Sequence, residues 1–190
     1  MLSYVEIYEI VKKRLSEKRF YHSECVVERC VEYAEIYGID VEKAKIAGIA
    51  HDVAKEIPKE KQIEVAESYG IKLDEIEKKQ IPLIHAKLGA EIAKREFGCS
   101  DDICEAIKWH TTGKENMSML EKIVFMADAT GRDRTWGNTE ELHNLARENL
   151  EEAMIELMKE CIIDVIGHGL LAHPKSIEAY NYVLLNKKEN

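Results

Sequence analysis

The chain has 190 residues, 45% hydrophobic and 33% charged, with 36 acidic side chains against 27 basic ones and a formal net charge of −9. A chain of this size can bury a substantial core. The acidic balance disfavours a general DNA or RNA groove, which needs a basic face, so no nucleic-acid polymer is expected as a partner. A small phosphorylated ligand stays open, because a bound cation adds local positive charge that the formal count ignores.

Only 3 prolines and 10 glycines are present, which argues against a loop-rich or all-β architecture. The opening MLSYVEIYEIVKKRL carries Glu6 and Glu9 among its apolar positions and lacks the apolar block of a signal peptide. His22, in KRFYHSECV, falls near the start of the second helix. Gly38 closes that helix and Asp40 caps the third. The third helix, AKIAGIAHDVAK, is apolar up to His51-Asp52. Pro58 restarts the chain, with a helix running toward Gly70, and Pro82 opens another that ends near Gly98. Ser100 caps DDICEAIKWH, with Asp101 and Asp102 in the first turn, where acids suit the helix dipole. Ser118 and Glu121 have capping-box spacing, and Leu120, Ile123, Val124 and Ala127 form the apolar stripe behind them. Thr139 opens a long helix that reaches about Ile166. Pro174 opens the last one through AYNYVLL, and the terminal NKKEN frays.

No strand alternation, repeat or linker appears. The expectation is one all-α domain over residues 1–190. No apolar stretch approaches the length needed to cross a bilayer, so no membrane partner is expected. Five cysteines, Cys25, Cys30, Cys99, Cys104 and Cys161, form no Cys-x-x-Cys pair. Their odd number argues against a disulfide framework and for a reducing cytoplasm. Cys25 and Cys30 read as small buried residues.

A histidine beside an aspartate at the end of an apolar helix suits a metal site better than a core. Imidazole nitrogen and carboxylate oxygen together fit iron, manganese, zinc and similar divalent ions. An apolar segment ending Ala127-Asp128 supplies a second candidate carboxylate. Burying two carboxylates without a partner is costly, and a cation is a natural partner. His22, His85 and His110 complete the candidates. Each has a plainer reading by itself: His85 can cap a turn, and His110 ends its helix, where a cation is favoured anyway. Trp109 and Trp136 read as core, Met117, Met119 and Met126 as packing, His143 as a helix-surface residue, and His168 as a loop residue.

The order His22, His51-Asp52, Asp128 resembles the HD-domain superfamily of metal-dependent phosphohydrolases. The segments RFYHSECV, AGIAHDVAK, IPLIHAKLGAEIA, AIKWHTTG, MSMLEKIVFMAD and HPKSIEAYN are similar to its YqeK branch, the symmetrical diadenosine tetraphosphate hydrolases. The resemblance implies an all-α HD-domain helical bundle. It implies iron, or another divalent transition metal such as manganese, cobalt or nickel, as one or two ions. It implies cleavage of a dinucleoside tetraphosphate into two ADP. By the same resemblance His22, His51, Asp52 and Asp128 are the metal ligands. Asp52, His85, His110 and Asp128 are the catalytic group. Lys55, Thr111 and Arg134 bind phosphate together with His22, His85, His110 and Asp128. Gly169, Leu170, Leu171, Ala172, His173 and Pro174 line the nucleotide pocket. The sequence leaves the oligomeric state open, with a homodimer as the candidate assembly. The text after Asp128, Ala129-Thr130-Gly131-Arg132-Asp133-Arg134, departs from the branch's Asp-Lys-Ile-Glu-Pro turn and leaves Arg132 and Arg134 both open as the phosphate ligand. Two other readings compete: a noncatalytic nucleotide sensor, and an iron oxygenase on the same scaffold.

Overall fold

A computed structural model of the chain describes residues 1–135 and 137–187. Trp136 and the last three residues of the expected frayed tail lie outside them. Eleven α-helices are present among the described residues, with no strand. α1 (Tyr4–Arg14) begins at a Ser3–Glu6 capping box. α2 (Glu17–Tyr37) ends at Gly38, whose left-handed φ of 66° closes the helix at little cost because glycine lacks a Cβ. α3 (Val41–Ala50) starts at Asp40, which accepts from the backbone of Glu42 and Lys43. α4 (Lys59–Ser68) follows Pro58. The sequence predicts nothing between Gly70 and Pro82; the structure has a short α5 (Glu75–Lys79), opened by an Asp74–Glu77 capping box. A 3-10 turn, Ile81–Leu83, leads into α6 (Ile84–Arg95).

α7 (Asp101–Trp109) has Ser100 at its N-cap position, but the expected side-chain cap is missing because the Ser100 hydroxyl turns to Asp102. α8 (Met119–Thr130) carries the predicted Ser118–Glu121 box, and Leu120, Ile123, Val124 and Ala127 are all buried. The long helix predicted from Thr139 is two: α9 (Thr139–Glu148) and α10 (Leu150–Gly167). Asn149 breaks it with extended φ and ψ, and its side chain accepts from the Glu152 amide. Asparagine offers the backbone this alternative to helix continuation. α11 (Pro174–Asn186) closes the order.

α2 packs along α3 and α8, α7 packs on α6 and α8, and α10 runs against α9 and α11. Glycines set the closest approaches. A Cβ on Gly48 would meet Cys30 Sγ at 3.1 Å and the Val27 backbone at 3.3 Å, so an alanine there would push α2 and α3 apart by a few tenths of an ångström. A Cβ on Gly89 would meet the His51 carbonyl at 3.3 Å, so α6 presses on the turn that follows α3. Cys25 and Cys30 are buried as expected, and so are Met117 and Met126, whereas Met119 is exposed. Trp109 is only half-buried and donates its Nε1–H to Glu105 at 2.8 Å. No helix among the described residues is long and apolar enough to cross a membrane.

His143, predicted on the helix surface, is buried. Arg29 donates to its Nε2 at 2.6 Å, so the ring proton sits on Nδ1 and goes to the Tyr33 hydroxyl at 2.9 Å. Tyr33 donates to Thr130 Oγ1 at 2.8 Å, and Thr130 donates to the Met126 carbonyl at 2.7 Å. Every donor in this relay has an acceptor, and it clamps the C-terminal turn of α8. Tyr33→Phe leaves buried polar groups unpaired and lowers stability by about 1–3 kcal/mol. Urea unfolding checks this, and a change within the error of the method would contradict it.

Candidate metal centre

The apolar run of α3 carries the chain inward to His51, beyond which the helix loosens into turns that bring Asp52 and Lys55 round to the same side. α2 supplies His22, α6 His85, the end of α7 His110, and the last turns of α8 Asp128. All four histidines and Asp52 are buried. Ring centroids are 5.3 Å apart for His22 and His51, and 5.0 Å apart for both His51–His110 and His85–His110.

The placement of protons decides what this cluster can do. His51 Nδ1–H donates to the Gly48 carbonyl at 2.7 Å. His85 Nδ1–H donates to the Pro82 carbonyl, and His110 Nδ1–H to the Ile107 carbonyl, both at 2.6 Å. A carbonyl only accepts, so each Nδ1 is the donor and each neutral ring turns a bare Nε2 lone pair inward. Those lone pairs face one another and the two carboxylates, although Lys55 and Thr111 also bring donors to His85 and His110. His85 Nε2 and His110 Nε2 are 3.1 Å apart. His85 Nε2 lies 3.0 Å from Asp52 Oδ1. His51 Nε2 lies 3.5 Å from Asp52 Oδ2 and 3.8 Å from Asp128 Oδ1. His22 Nε2 lies 3.0 Å from Asp128 Oδ1. His51 Nε2 and Asp52 Oδ1 are buried with no hydrogen-bond partner. Acceptors turned toward acceptors in a dry interior repel unless a positive charge lies among them.

Burial is the main influence on His51 and His85. It lowers His51 to about 4, against the opposing pull of Asp52 and Asp128, and it lowers His85 as well. Burial alone would raise Asp52 and Asp128. For Asp52 the neighbouring His51, His110 and His85 outweigh it; for Asp128, His22, His51 and Arg134 do. Both carboxyls are held well below the ordinary range. Neutral imidazoles and ionised carboxylates are the forms that bind metals. Of the three groups among the described residues whose possible ligand atoms all lie within 4.8 Å of one another, two fall here, His22–His51–Asp128 and His51–Asp52–His110, and they share His51; the third is Asp74–Glu77–His173. A mixed nitrogen and oxygen set of this kind fits a divalent transition ion.

Cationic side chains ring the cluster. Lys55 Nζ is 3.7 Å from Asp52 Oδ1 and 3.1 Å from His85 Nε2. Arg134 bonds the Asp128 carboxylate with Nη2 and its carbonyl with Nε. Arg132 points away to Glu28 at 2.9 Å, so of the two candidate arginines the structure brings Arg134 to the site. Two residues escaped the sequence reading. Arg19 donates to Asp52 Oδ2 at 2.9 Å, and Asp133 Oδ2 lies 2.9 Å from His22 Nδ1. Arg19 precedes His22 by one helical turn, a spacing that places both on one face. Asp133 lies in a loop and has no periodic signal.

The Thr111 hydroxyl is 3.3 Å from His110 Nε2. Thr111 also lines a cavity of about 250 Å³ whose apolar wall includes Leu83, Phe125, Met158, Ile162 and Val165. From the segment predicted to line a nucleotide pocket, Leu171, Ala172 and His173 face this cavity. Gly169 is the left-handed turn after α10, Leu170 is largely exposed, and Pro174 starts α11; these three do not line it. His173 caps α11 and pairs with Asp74 at 2.9 Å, and Gln80 donates to the Leu171 carbonyl, so the segment is tied to the rim. His168 is exposed at the end of α10.

Comparison with known proteins agrees with this geometry. The HD domain family model matches residues 19–133. The chain is 35% identical over 177 residues to the symmetrical bis(5'-nucleosyl)-tetraphosphatase of Bacillus subtilis, covering 92% of this chain and 94% of that protein. It is 33% identical over 186 residues to the protein of the same name from Halalkalibacterium halodurans, covering 95% and 96%. The crystal structure of a predicted HD superfamily hydrolase described as involved in NAD metabolism, from Clostridium acetobutylicum, matches with a TM-score of 0.94 at 39% identity, over 98% of this chain and 100% of that one. This chain belongs to the HD-domain family, in the YqeK branch that contains the symmetrical bis(5'-nucleosyl)-tetraphosphatases.

Proposed function

We propose that this protein is a metal-dependent hydrolase that cleaves diadenosine tetraphosphate symmetrically into two ADP. The observation that carries the reading is the ring of inward acceptors, four imidazole Nε2 atoms and two carboxylates, flanked by Lys55, Arg19 and Arg134. His22, His51, Asp52 and Asp128 would hold the ion, with iron first and manganese, cobalt or nickel as substitutes. When bound, the ion supplies a Lewis acid for a phosphoryl oxygen and a water whose pKa is lowered toward neutrality.

The chain's own residues do the remaining work, which for phosphoryl transfer is positioning and charge neutralisation. Lys55 and Arg134 reach the site on flexible stems and would neutralise the bridging phosphates. The planar fork of Arg134 can grip two oxygens at once. His85 and His110 keep their Nδ1 protons on backbone carbonyls and would present the bare Nε2 to a second ion, or, with a proton taken up there, donate from Nε2 to a phosphate oxygen. Thr111 links the phosphate site to the apolar cavity, which would take one nucleoside, with His173 at its edge. Five free cysteines favour a cytoplasmic setting. The surrounding cations favour a polyanionic substrate over the neutral substrate of an oxygenase.

A product assay tests the proposal. Purified protein is incubated anaerobically with diadenosine tetraphosphate and iron(II), manganese or cobalt, and ADP is expected as the sole nucleotide product. ATP plus AMP would contradict the symmetrical assignment. Saturable binding without product would favour the nucleotide sensor.

A further inference from the structure

His51, His85 and His110 are each oriented by a backbone carbonyl three residues earlier. His22 cannot use that device. It lies in the second turn of α2, where preceding carbonyls serve the helix and the Arg19 carbonyl also accepts from Ser23 Oγ at 3.3 Å. Its Nδ1 meets a carboxylate instead, Asp133 Oδ2, at 2.9 Å. The other oxygen of Asp133 is buried without a partner, so the contact to His22 is kept although it leaves a polar atom unsatisfied.

The loop is shaped around that contact. A Cβ on Gly131 would stand 2.7 Å from Asp133 Oδ1. The backbone of Gly131, with φ −53° and ψ 140°, is one that any residue adopts. An alanine at this position would therefore take the space of the Asp133 carboxylate and strain no backbone dihedral. We infer that Asp133 is a positioning residue for the metal centre: with Gly131 it forms a loop whose carboxylate orients His22 and strengthens it as a ligand. A carboxylate partner makes an imidazole a better donor than a backbone carbonyl does. This gives the His22–His51–Asp128 set an advantage over His51–Asp52–His110. The inference rests on the metal-centre reading proposed above.

Cobalt(II) binding to metal-stripped protein tests it, followed by chelator competition and by the visible spectrum of the bound ion. Asp133→Asn keeps an oxygen beside Nδ1 and removes the charge. It is expected to weaken cobalt affinity by about 10- to 100-fold, with the melting temperature of the stripped protein unchanged and the KM for diadenosine tetraphosphate at saturating cobalt unchanged. Gly131→Ala is expected to weaken cobalt similarly by pushing the carboxylate aside. In an Asp133→Ala background Gly131→Ala should add nothing, since no carboxylate remains to displace. Wild-type affinity in Asp133→Asn would overturn the inference. So would a Gly131→Ala effect that persists without Asp133. Wild-type protein that binds no cobalt at all would overturn the metal-centre reading itself, a separate and recognisable failure.

Discussion

His51→Ala is expected to empty the metal centre and lower turnover by roughly a thousandfold or more, because a Lewis acid and its activated water supply several kcal/mol of transition-state stabilisation. His51 is fully buried and is the one residue shared by both ligand sets, so its loss damages either mode of ion binding. The fold should survive. The His51 ring makes a single hydrogen bond, to the Gly48 carbonyl, and its Nε2 has no partner. Removing a buried acceptor that faces other acceptors offsets part of the cavity left by the ring. Metal content and kcat are measured on the same preparation, alongside circular dichroism. Full activity in the metal-analysed variant, or wild-type metal content, would refute the assignment.

Metal-free protein is expected to lose stability steeply as pH falls from about 6.5 toward 4. The unfolded chain binds protons at its histidines below the ordinary value of 6.5, whereas folded His51 resists protonation down to about 4. In that interval the unfolded state holds more protons, so acid favours unfolding. A shift of this size is worth on the order of 3 kcal/mol. His85 is lowered by burial in the same direction, and so is His143, where Arg29 adds to burial. Asp52 and Asp128 extend the loss to still lower pH, since their stabilisation is present above the ordinary carboxyl value and disappears as pH falls through their depressed ones. A bound divalent ion replaces the missing positive charge and should raise the melting temperature at neutral pH. Melting curves between pH 4 and 8, with and without manganese, check both effects. A flat profile for the metal-free form would contradict this picture of the cluster.

The punctuation of the helices was legible because it is local chemistry. Gly38, Asp40 and the Ser118–Glu121 box act within one turn of the chain, and all three do what the sequence predicts. The break at Asn149 was not legible, since an apolar periodicity continues on both sides and only one side chain's choice of the Glu152 amide divides it. The site was legible where an unusual residue interrupts an apolar run, as at His51-Asp52 and Asp128. It was not legible where the contact is long-range: Asp133 is 111 positions from His22, and His143 is 114 from Arg29. His143 sits on a helix rich in charge, and only the tertiary contact with Arg29 and Tyr33 takes it out of water. Ser100 shows the opposite failure, a sound local signal diverted by a nearer partner, Asp102.

The most direct test of the central claim is the metal content and ligand environment of protein purified anaerobically without chelators or a nickel column. Elemental analysis with X-ray absorption should find about one or two divalent transition ions per chain, bonded by imidazole nitrogen and carboxylate oxygen. Chelation should abolish cleavage and re-addition should restore it. Protein that holds no metal and hydrolyses diadenosine tetraphosphate at full rate in excess chelator would contradict the account.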